Sequence, residues 1–324
     1  MILMSASSQI LIVTAARVGE TDIAFAQVRL KRGDRSKTLA RNIRAFFTLA
    51  KPEITLMVMI SAGVGSLIAS GSFQIVMVHS VLGIGLLAAG VSALNQYSER
   101  DLDSKMRRTA RRPLPAGELT PRQALIFGIA VSTTGMLYLI LLLNALTALL
   151  GLLTLISYLF IYTPLKPKTR LCTFFGAFPG AAPVLMGWSA VTNSVSLEAW
   201  ALYAVLFLWQ FPHFYAIGWL YREDYARVGM LMLPSVHEDD ERLTFRLILI
   251  SSQLLVLATL LFTFIAHSGA LYFASSLILG IGFYYFAYRA SQSRSKFAAK
   301  QLLHASVIYL PLLYGLMIFD RLTQ

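Results

Sequence analysis

The sequence has a single cysteine and few charged residues. Of its 324 residues, only 14% are Asp, Glu, Lys or Arg, whereas 56% are hydrophobic and the mean hydropathy is +0.65. Cys172 alone cannot form an intramolecular disulfide, and the sequence has no Cys/His pattern with the spacing of a zinc or iron–sulfur site. So low a charge content excludes an ordinary soluble protein and is typical of a polytopic membrane protein.

Long polar segments are also scarce, because nine apolar runs occupy most of the chain. Each run is close to the length that crosses a bilayer as a helix, whereas a closed barrel would show alternating strands. No separate soluble domain fits between them. We therefore predict an all-α polytopic membrane protein whose nine transmembrane helices surround a central cavity, with spans at roughly 54–72, 75–94, 123–142, 145–163, 171–190, 199–220, 244–266, 270–290 and 301–319.

Positive charge is absent from every second connection between these runs. Of the 28 lysines and arginines, all except Arg321 precede residue 52 or lie in or beside four alternate connections. This is the positive-inside pattern, which predicts a cytoplasmic N-terminus and an outer C-terminus. The net charge of +12 therefore indicates orientation and not a nucleic-acid partner. We interpret residues 1–45 as a cytoplasmic extension of a membrane domain at 46–324.

A stripe of oxygen-bearing side chains follows the second apolar run. If the helix continues, Asn95, Glu99 and Asp103 lie at i, i+4 and i+8 and share one face. Carboxylate and amide oxygens are suitable ligands for Mg²⁺, and the guanidinium groups of Arg108 and Arg112 further on match phosphate oxygens. The stripe therefore predicts a site for a metal and a diphosphate. A solvated loop whose charge determines topology is the alternative.

Two further connections on the same predicted side carry matching chemistry. Arg222 and Asp224 follow the sixth run, and Lys166 follows the fourth. The two long connections both follow even-numbered runs, which suggests two similar halves that face one cavity. Asp224 is thus a fourth candidate metal ligand, and Arg222 and Lys166 are candidate diphosphate ligands. The acidic run 237–241 is interpreted as solvated surface, since consecutive carboxylates point all round a helix.

A histidine inside the sixth run is the main candidate for contact with a second substrate. His213 lies at a depth where an ionisable side chain is costly unless it is paired or faces a cavity. It is therefore a candidate ligand or hydrogen-bond donor for a planar aromatic or porphyrin acceptor; an interhelical hydrogen bond is the alternative.

From about residue 44 to 320 the chain resembles the UbiA-type intramembrane prenyltransferases. Two of the matching segments, Trp209–Phe214 and Tyr221–Pro234, resemble the branch that farnesylates haem more than the quinone branches. The other matching segments are Asn95–Asp103, Met106–Pro115 and Tyr162–Lys166. The resemblance implies a nine-helix fold with both acidic motifs on the cytoplasmic side.

The resemblance also implies a reaction: transfer of a farnesyl group from farnesyl diphosphate to a vinyl group of haem B, giving haem O and diphosphate. Mg²⁺ is the implied cofactor. The implied location of the protein is the inner membrane of a bacterium rather than that of a mitochondrion. The lipid bilayer and either haem A synthase or terminal oxidase assembly are the implied partners. The implied metal and catalytic residues are Asn95, Glu99, Asp103 and Asp224, the diphosphate ligands Arg108, Arg112, Lys166 and Arg222, and the acceptor-pocket residues His213, Tyr97, Phe211 and Tyr221. The implied allylic cation would be stabilised by aromatic faces such as Tyr97, Phe211, Phe214 and Tyr221.

The sequence departs from the wider superfamily at three positions. Gln96 and Glu99 stand where aspartates are usual, and Val228 stands where the second motif usually has another aspartate. The number of Mg²⁺ ions is therefore left open. Two alternatives also remain open: the same transfer to a quinone or chlorophyll precursor, and a transporter or haem-handling protein, which would favour carboxylates near the middle of the bilayer.

Overall fold

Nine long helices form the protein in a computed structural model that describes residues 41–234 and 238–323, without the side chains of 238–240. The predicted cytoplasmic extension, 1–45, lies almost entirely outside the described residues. The nine helices are α1 Pro52–Ser70, α2 Ile75–Asp103, α3 Pro121–Leu142, α4 Ala145–Leu165, α5 Cys172–Thr192, α6 Leu197–Leu220, α7 Glu238–Ile265, α8 Ala270–Ser293 and α9 Lys296–Thr323.

The helix ends follow local sequence signals. Thr120 precedes α3 and forms a capping box with Gln123, while Pro121 occupies the first turn, where its missing N–H costs nothing. Ser196 caps α6 by accepting a hydrogen bond from the backbone N–H of Ala199. The nine predicted spans are confirmed. The last is longer than the predicted 301–319, since α9 extends from Lys296 to Thr323.

Two groups of helices make up the bundle. Helices α6, α7, α8 and α9 form a ring in which each packs on the next, and α2, α3, α4 and α5 pack in the same way. Helix α1 lies against α2 and α5, and α5 joins the two groups by packing on α6. Consecutive long helices are thus neighbours in the bundle, as expected for an up-and-down arrangement, with long connections only after α2 and α6.

Helices α1 and α5 approach each other at backbone distance. A Cβ atom on Gly187 would lie 1.9 Å from the carbonyl oxygen of Ala62, and one on Gly65 would lie 2.3 Å from that of Val184. Only glycine fits at these two points, and small residues at helix interfaces are the usual means of close packing within a membrane. The close contact fixes α1, and therefore the residue that precedes it, against the centre of the bundle.

Residues 41–49 add a short helix ahead of α1. Ala45 and Leu49 are buried and pack against Ala93, Leu119 and Ala124. The packed part of the protein therefore crosses the boundary that the sequence suggested at 45/46. The connections that follow α2, α4, α6 and α8 lie at the same end of the bundle as this helix, and we call this the basic end.

Candidate diphosphate and metal site

The predicted stripe on α2 is confirmed as one buried face at the basic end. Helix α2 continues unbroken to Asp103, and Asn95, Glu99 and Asp103 are 1%, 7% and 1% exposed. Gln96, also buried, donates a hydrogen bond to the carbonyl of Leu49 at 2.7 Å and so fixes the short N-terminal helix against α2. Three polar side chains at this depth require partners, because an unpaired charge in an apolar surrounding is costly.

Cations from separate parts of the chain supply those partners. The ammonium group of Lys166 donates to Glu99 at 2.5 Å, and Arg112 donates to Asp103 at 2.6 Å. Asn95 accepts from Lys51 at 2.9 Å and donates to the hydroxyl of Thr163 at 3.2 Å. We call these six polar residues the α2 cluster: Lys51, Asn95, Glu99, Asp103, Arg112 and Lys166.

Lys51 is the functional candidate that the sequence reading missed. It directly precedes α1 with left-handed backbone angles (φ 48°), which place its side chain against α2. Burial, together with the positive charges of Arg112 and Lys166, lowers the pKa of Lys51 to about 7, and Glu99 and Asp103 only partly oppose this. The available signal was a lone lysine directly before an apolar run, which also fits simple topological anchoring.

Lys166 is positioned by an irregular turn in α4. Residues Ser157–Tyr162 form a π-helical turn, a feature that is frequent at functional sites, and Thr163 donates to the carbonyl of Tyr158 at 2.8 Å. Burial opposes the positive charge of Lys166, but the neighbouring Tyr162 and Glu99 outweigh it and raise its pKa. Lys166 is therefore a permanent cation at the floor of the cluster.

The predicted motif around Asp224 contacts the connection that follows α2. The amide of Arg108 donates to Asp224 at 3.3 Å, and its guanidinium group donates to the hydroxyl of Tyr225 at 3.3 Å. The amide of Leu231 donates to the carbonyl of Lys166 at 3.1 Å. The connections after α2, α4 and α6 therefore converge at the basic end.

Asp224 lies on the short helix Arg222–Arg227 that follows α6. Arg227 donates to it at 2.7 Å. Burial favours its neutral form, but this bond and those from the backbone amides of Arg108 and Arg107 outweigh burial and lower the pKa of Asp224. Asp224 is thus a carboxylate at neutral pH, held by Arg227 and by the backbone amide of Arg108.

One feature of the cluster fits a bound cation. The Oδ1 atom of Asp103 is buried and has no hydrogen-bond partner, although its Oδ2 atom binds Arg112. Such an oxygen can coordinate a metal ion or accept a hydrogen bond. Within residues 41–234 and 238–323, however, no three His, Cys, Asp or Glu side chains converge tightly enough to hold an ion alone. Phosphate oxygens would have to complete the coordination.

The four acceptor-pocket candidates contact different neighbours. His213 forms a 2.8 Å hydrogen bond with Ser306 of α9 and stacks on Trp209, which matches the interhelical alternative. Phe211 packs against Phe207. Tyr97 points away from the stripe and lies under the guanidinium group of Arg100.

Of these four, Tyr221 contacts a predicted diphosphate ligand, since the guanidinium carbon of Arg108 lies 5.2 Å from the centre of its ring. The adjacent Arg222 behaves differently. It stacks on Trp219 at 4.2 Å and donates to that residue's carbonyl, so its contacts are with α6 rather than with a carboxylate.

Comparisons with known proteins agree with this architecture. The model of the UbiA prenyltransferase family matches residues 56–308. A protein named protoheme IX farnesyltransferase from Solibacter usitatus is 44% identical over 290 residues, covering 86% of this chain and 99% of the relative. A protein of the same name from Koribacter versatilis is 41% identical over 295 residues, covering 87% and 95%.

Solved structures share the fold at low sequence identity. A UbiA homologue from Archaeoglobus fulgidus bound to DMAPP and Mg²⁺ aligns with a TM-score of 0.62 at 18% identity, covering 86% of this chain and 99% of the other. A digeranylgeranylglyceryl phosphate synthase aligns with a TM-score of 0.71 at 16% identity, covering 87% and 99%. The chain therefore belongs to the UbiA prenyltransferase family, and within it groups with relatives named protoheme IX farnesyltransferase.

Proposed function

We propose that this protein transfers a farnesyl group from farnesyl diphosphate to a vinyl group of haem B, giving haem O and diphosphate. The observation that carries the proposal is the α2 cluster, in which buried carboxylates and cations from three parts of the chain meet at one end of a membrane-embedded bundle. Family membership and the names of the relatives support the same reaction.

The cations of the site bind and activate the leaving group. Lys166, Arg112 and Arg108 line the meeting point of the three connections, and Lys51 adds a fourth positive group when it is protonated. When the C–O bond of farnesyl diphosphate breaks, negative charge grows on the diphosphate. Cations that are already held in place by carboxylates stabilise that charge without reorganising, which lowers the barrier.

The carboxylates have a second role, which is to hold a divalent cation. Asp103, through its unpartnered Oδ1 atom, and Asp224 on the opposing connection are the ligands best supported, with Asn95 and Glu99 on the same face as Asp103. When bound, Mg²⁺ supplies positive charge that neutralises the diphosphate oxygens. The homologue from Archaeoglobus fulgidus that is bound to DMAPP and Mg²⁺ supports the use of a divalent cation.

The aromatic side chains next to the site protect the carbocation that remains. Tyr221 lies beside Arg108, and Tyr225 accepts a hydrogen bond from it, so both rings border the place where the diphosphate departs. Their faces stabilise positive charge on the allyl group. One vinyl carbon of haem B then forms a bond to this group, which leaves the positive charge on the other vinyl carbon. Water adds to that carbon and releases a proton, which completes the hydroxyethylfarnesyl substituent. We assign His213 and Phe211 to the haem side of the pocket.

The distribution of basic residues indicates how the protein is oriented in its membrane. We propose that the basic end faces the cytoplasm of a bacterial inner membrane, with the C-terminus outside, and that the product passes to haem A synthase or to terminal oxidase assembly. Farnesyl diphosphate would thus reach the site from the side that carries the α2 cluster.

Pigment analysis tests the function directly. Membranes of cells that express the chain should contain a haem more hydrophobic than haem B, and labelled farnesyl diphosphate should become attached to haem B but not to quinone or chlorophyll precursors. The D103N variant, inserted to the same level, is the matched control and should give no product. Labelling of a quinone precursor alone would contradict the proposed acceptor, and release of diphosphate without any divalent cation would contradict the metal.

A further inference from the structure

A pocket between α7 and α8 at the basic end is separate from the residues of the proposed reaction. It has a volume of about 360 Å³. It is lined by three arginines, a serine and a phenylalanine: Arg242, Phe245, Arg246, Ser291 and Arg294. None of these residues belongs to the α2 cluster or to the motif around Asp224.

Three guanidinium groups at one pocket repel each other unless an anion lies among them. Arg242 and Arg246 are one turn apart on the same face of α7, and like charges at this spacing destabilise a helix. Arg294, the residue that ends α8, extends across to α7, where it pairs with Glu241 at 3.4 Å. In the described part of the chain this half-exposed ion pair is the one carboxylate contact that the three arginines make.

The pocket combines the donors that a phosphate group requires. Guanidinium groups bind phosphate oxygens in pairs, and the hydroxyl of Ser291 is an additional donor. Its floor is the buried ring of Phe245, which is held by an edge contact with Trp219 at 5.1 Å. The arginine side chains therefore stand over a rigid base rather than on a mobile loop.

The surface below the pocket indicates a lipid rather than a soluble compound. Ile250 lies one turn further along the same face of α7 and is 51% exposed, and Tyr288 on α8 is 49% exposed. Gln253 and Tyr284 join the two helices below them at 3.0 Å. Exposed side chains of apolar character thus continue from the arginines into the membrane-spanning part, where acyl chains would continue from a headgroup phosphate.

We propose that this pocket binds the phosphate of an anionic phospholipid headgroup, whose acyl chains lie along Ile250 and Tyr288. Basic pockets between transmembrane helices on the cytoplasmic side are a recurrent means of lipid recognition. A lipid held there would bridge α7 and α8 and would neutralise the repulsion among the three arginines.

The test compares the full chain in phosphatidylcholine nanodiscs with and without phosphatidylglycerol. Phosphatidylglycerol should raise the thermal unfolding temperature of the wild type, and native mass spectrometry should show retained lipid. The variant R242Q/R246Q/R294Q should lose both effects, with apparent lipid affinity lowered roughly tenfold or more. The control R41Q/R122Q/K300Q removes the same charge from exposed positions elsewhere at the basic end and should behave as the wild type.

Two results would overturn the proposal. Equal loss in the control and the pocket variant would show a general charge effect and no site. Stabilisation by inorganic phosphate that equals that of the lipid and depends on the same arginines would identify a soluble phosphate compound as the ligand. Farnesyl transfer in phosphatidylcholine should be unchanged in the pocket variant, which shows that the loss of lipid binding is not a loss of folding. If the triple variant is unstable, the single variant R246Q should show a partial loss of the lipid effect.

Discussion

The two acidic regions at the basic end differ in how their carboxylates are held. On α2, Glu99 and Asp103 are buried in a long helix and pair with cations from other parts of the chain. Asp224 lies on a six-residue helix and pairs with Arg227 three residues away, whose side chain is 41% exposed. The ion pairs of the α2 region are therefore buried and depend on tertiary structure. The ion pair of Asp224 is local and its arginine is exposed, although the carboxylate itself is buried and also accepts from the backbone amide of Arg108.

The largest expected effect is at Asp103. D103N removes the charge that faces the site while keeping the shape of the side chain, so we expect farnesyl transfer to fall by about 10²–10³ or more. D101N is the matched control, because the side chain of Asp101 is 83% exposed and pairs only weakly with Arg100 at 3.8 Å. The measurement is haem O formation per inserted protein. Similar rates in the two variants would remove Asp103 from the site.

The contrast between the two regions predicts unequal losses of stability. K166M leaves Glu99 buried without its cation and should lower the free energy of unfolding by about 3–5 kcal/mol. R227Q breaks a partly exposed pair and should cost about 1 kcal/mol or less. Thermal unfolding in detergent measures both.

The double variant K166M/E99Q tests the physical cause of this difference. It should recover most of the stability lost in K166M, because no unpaired buried charge remains, but it should not recover activity. If R227Q proved as destabilising as K166M, the distinction between the buried ion pairs and the local one would be wrong.

Lys51 should make both stability and diphosphate binding depend on pH. Its pKa is about 7 in the folded protein and 10.5 ordinarily, so between these values the unfolded chain binds more protons and the free energy of unfolding rises with pH.

Binding of diphosphate favours the protonated form of Lys51, so the affinity for pyrophosphate should fall as pH rises above about 7. K51M should abolish both dependences, and K51R should bind with little change across this range. Calorimetry at several pH values is the measurement, and an unchanged pH profile in K51M would exclude the assignment.

The smallest and most selective effect is expected at His213. If the ring contacts haem, H213A should raise the KM for haem B several-fold and leave that for farnesyl diphosphate unchanged, because the residue lies on α6 away from the α2 cluster. S306A removes the hydrogen-bond partner of His213 on α9 without touching the ring. The two variants therefore separate a haem contact from an interhelical bond. Identical kinetics in H213A and S306A would assign His213 a structural role only.

Much of the fold was readable from the sequence because a bilayer restricts the possible structures. Apolar length predicted the nine spans, since backbone groups in lipid must be satisfied within a helix. The stripe of Asn95, Glu99 and Asp103 was predictable because helical spacing alone places these residues on one face. The tight contact of α1 with α5 at Gly65 and Gly187 was not predicted, since a glycine within an apolar run does not identify the helix against which it packs.

The sequence by itself determined the membrane class, the spans and the face of α2 that carries the carboxylates, because these depend on short-range periodicity and on hydrophobic length. Only the tertiary structure decided which cation meets which side-chain oxygen of α2: Lys166 meets Glu99, Arg112 meets Asp103 and Lys51 meets the amide of Asn95. Two of these pairs join residues more than forty positions apart, and such contacts depend on how helices pack and where their connections converge. Because of this packing, Lys51, which by sequence alone fits a topological anchor, is a candidate ligand for the diphosphate.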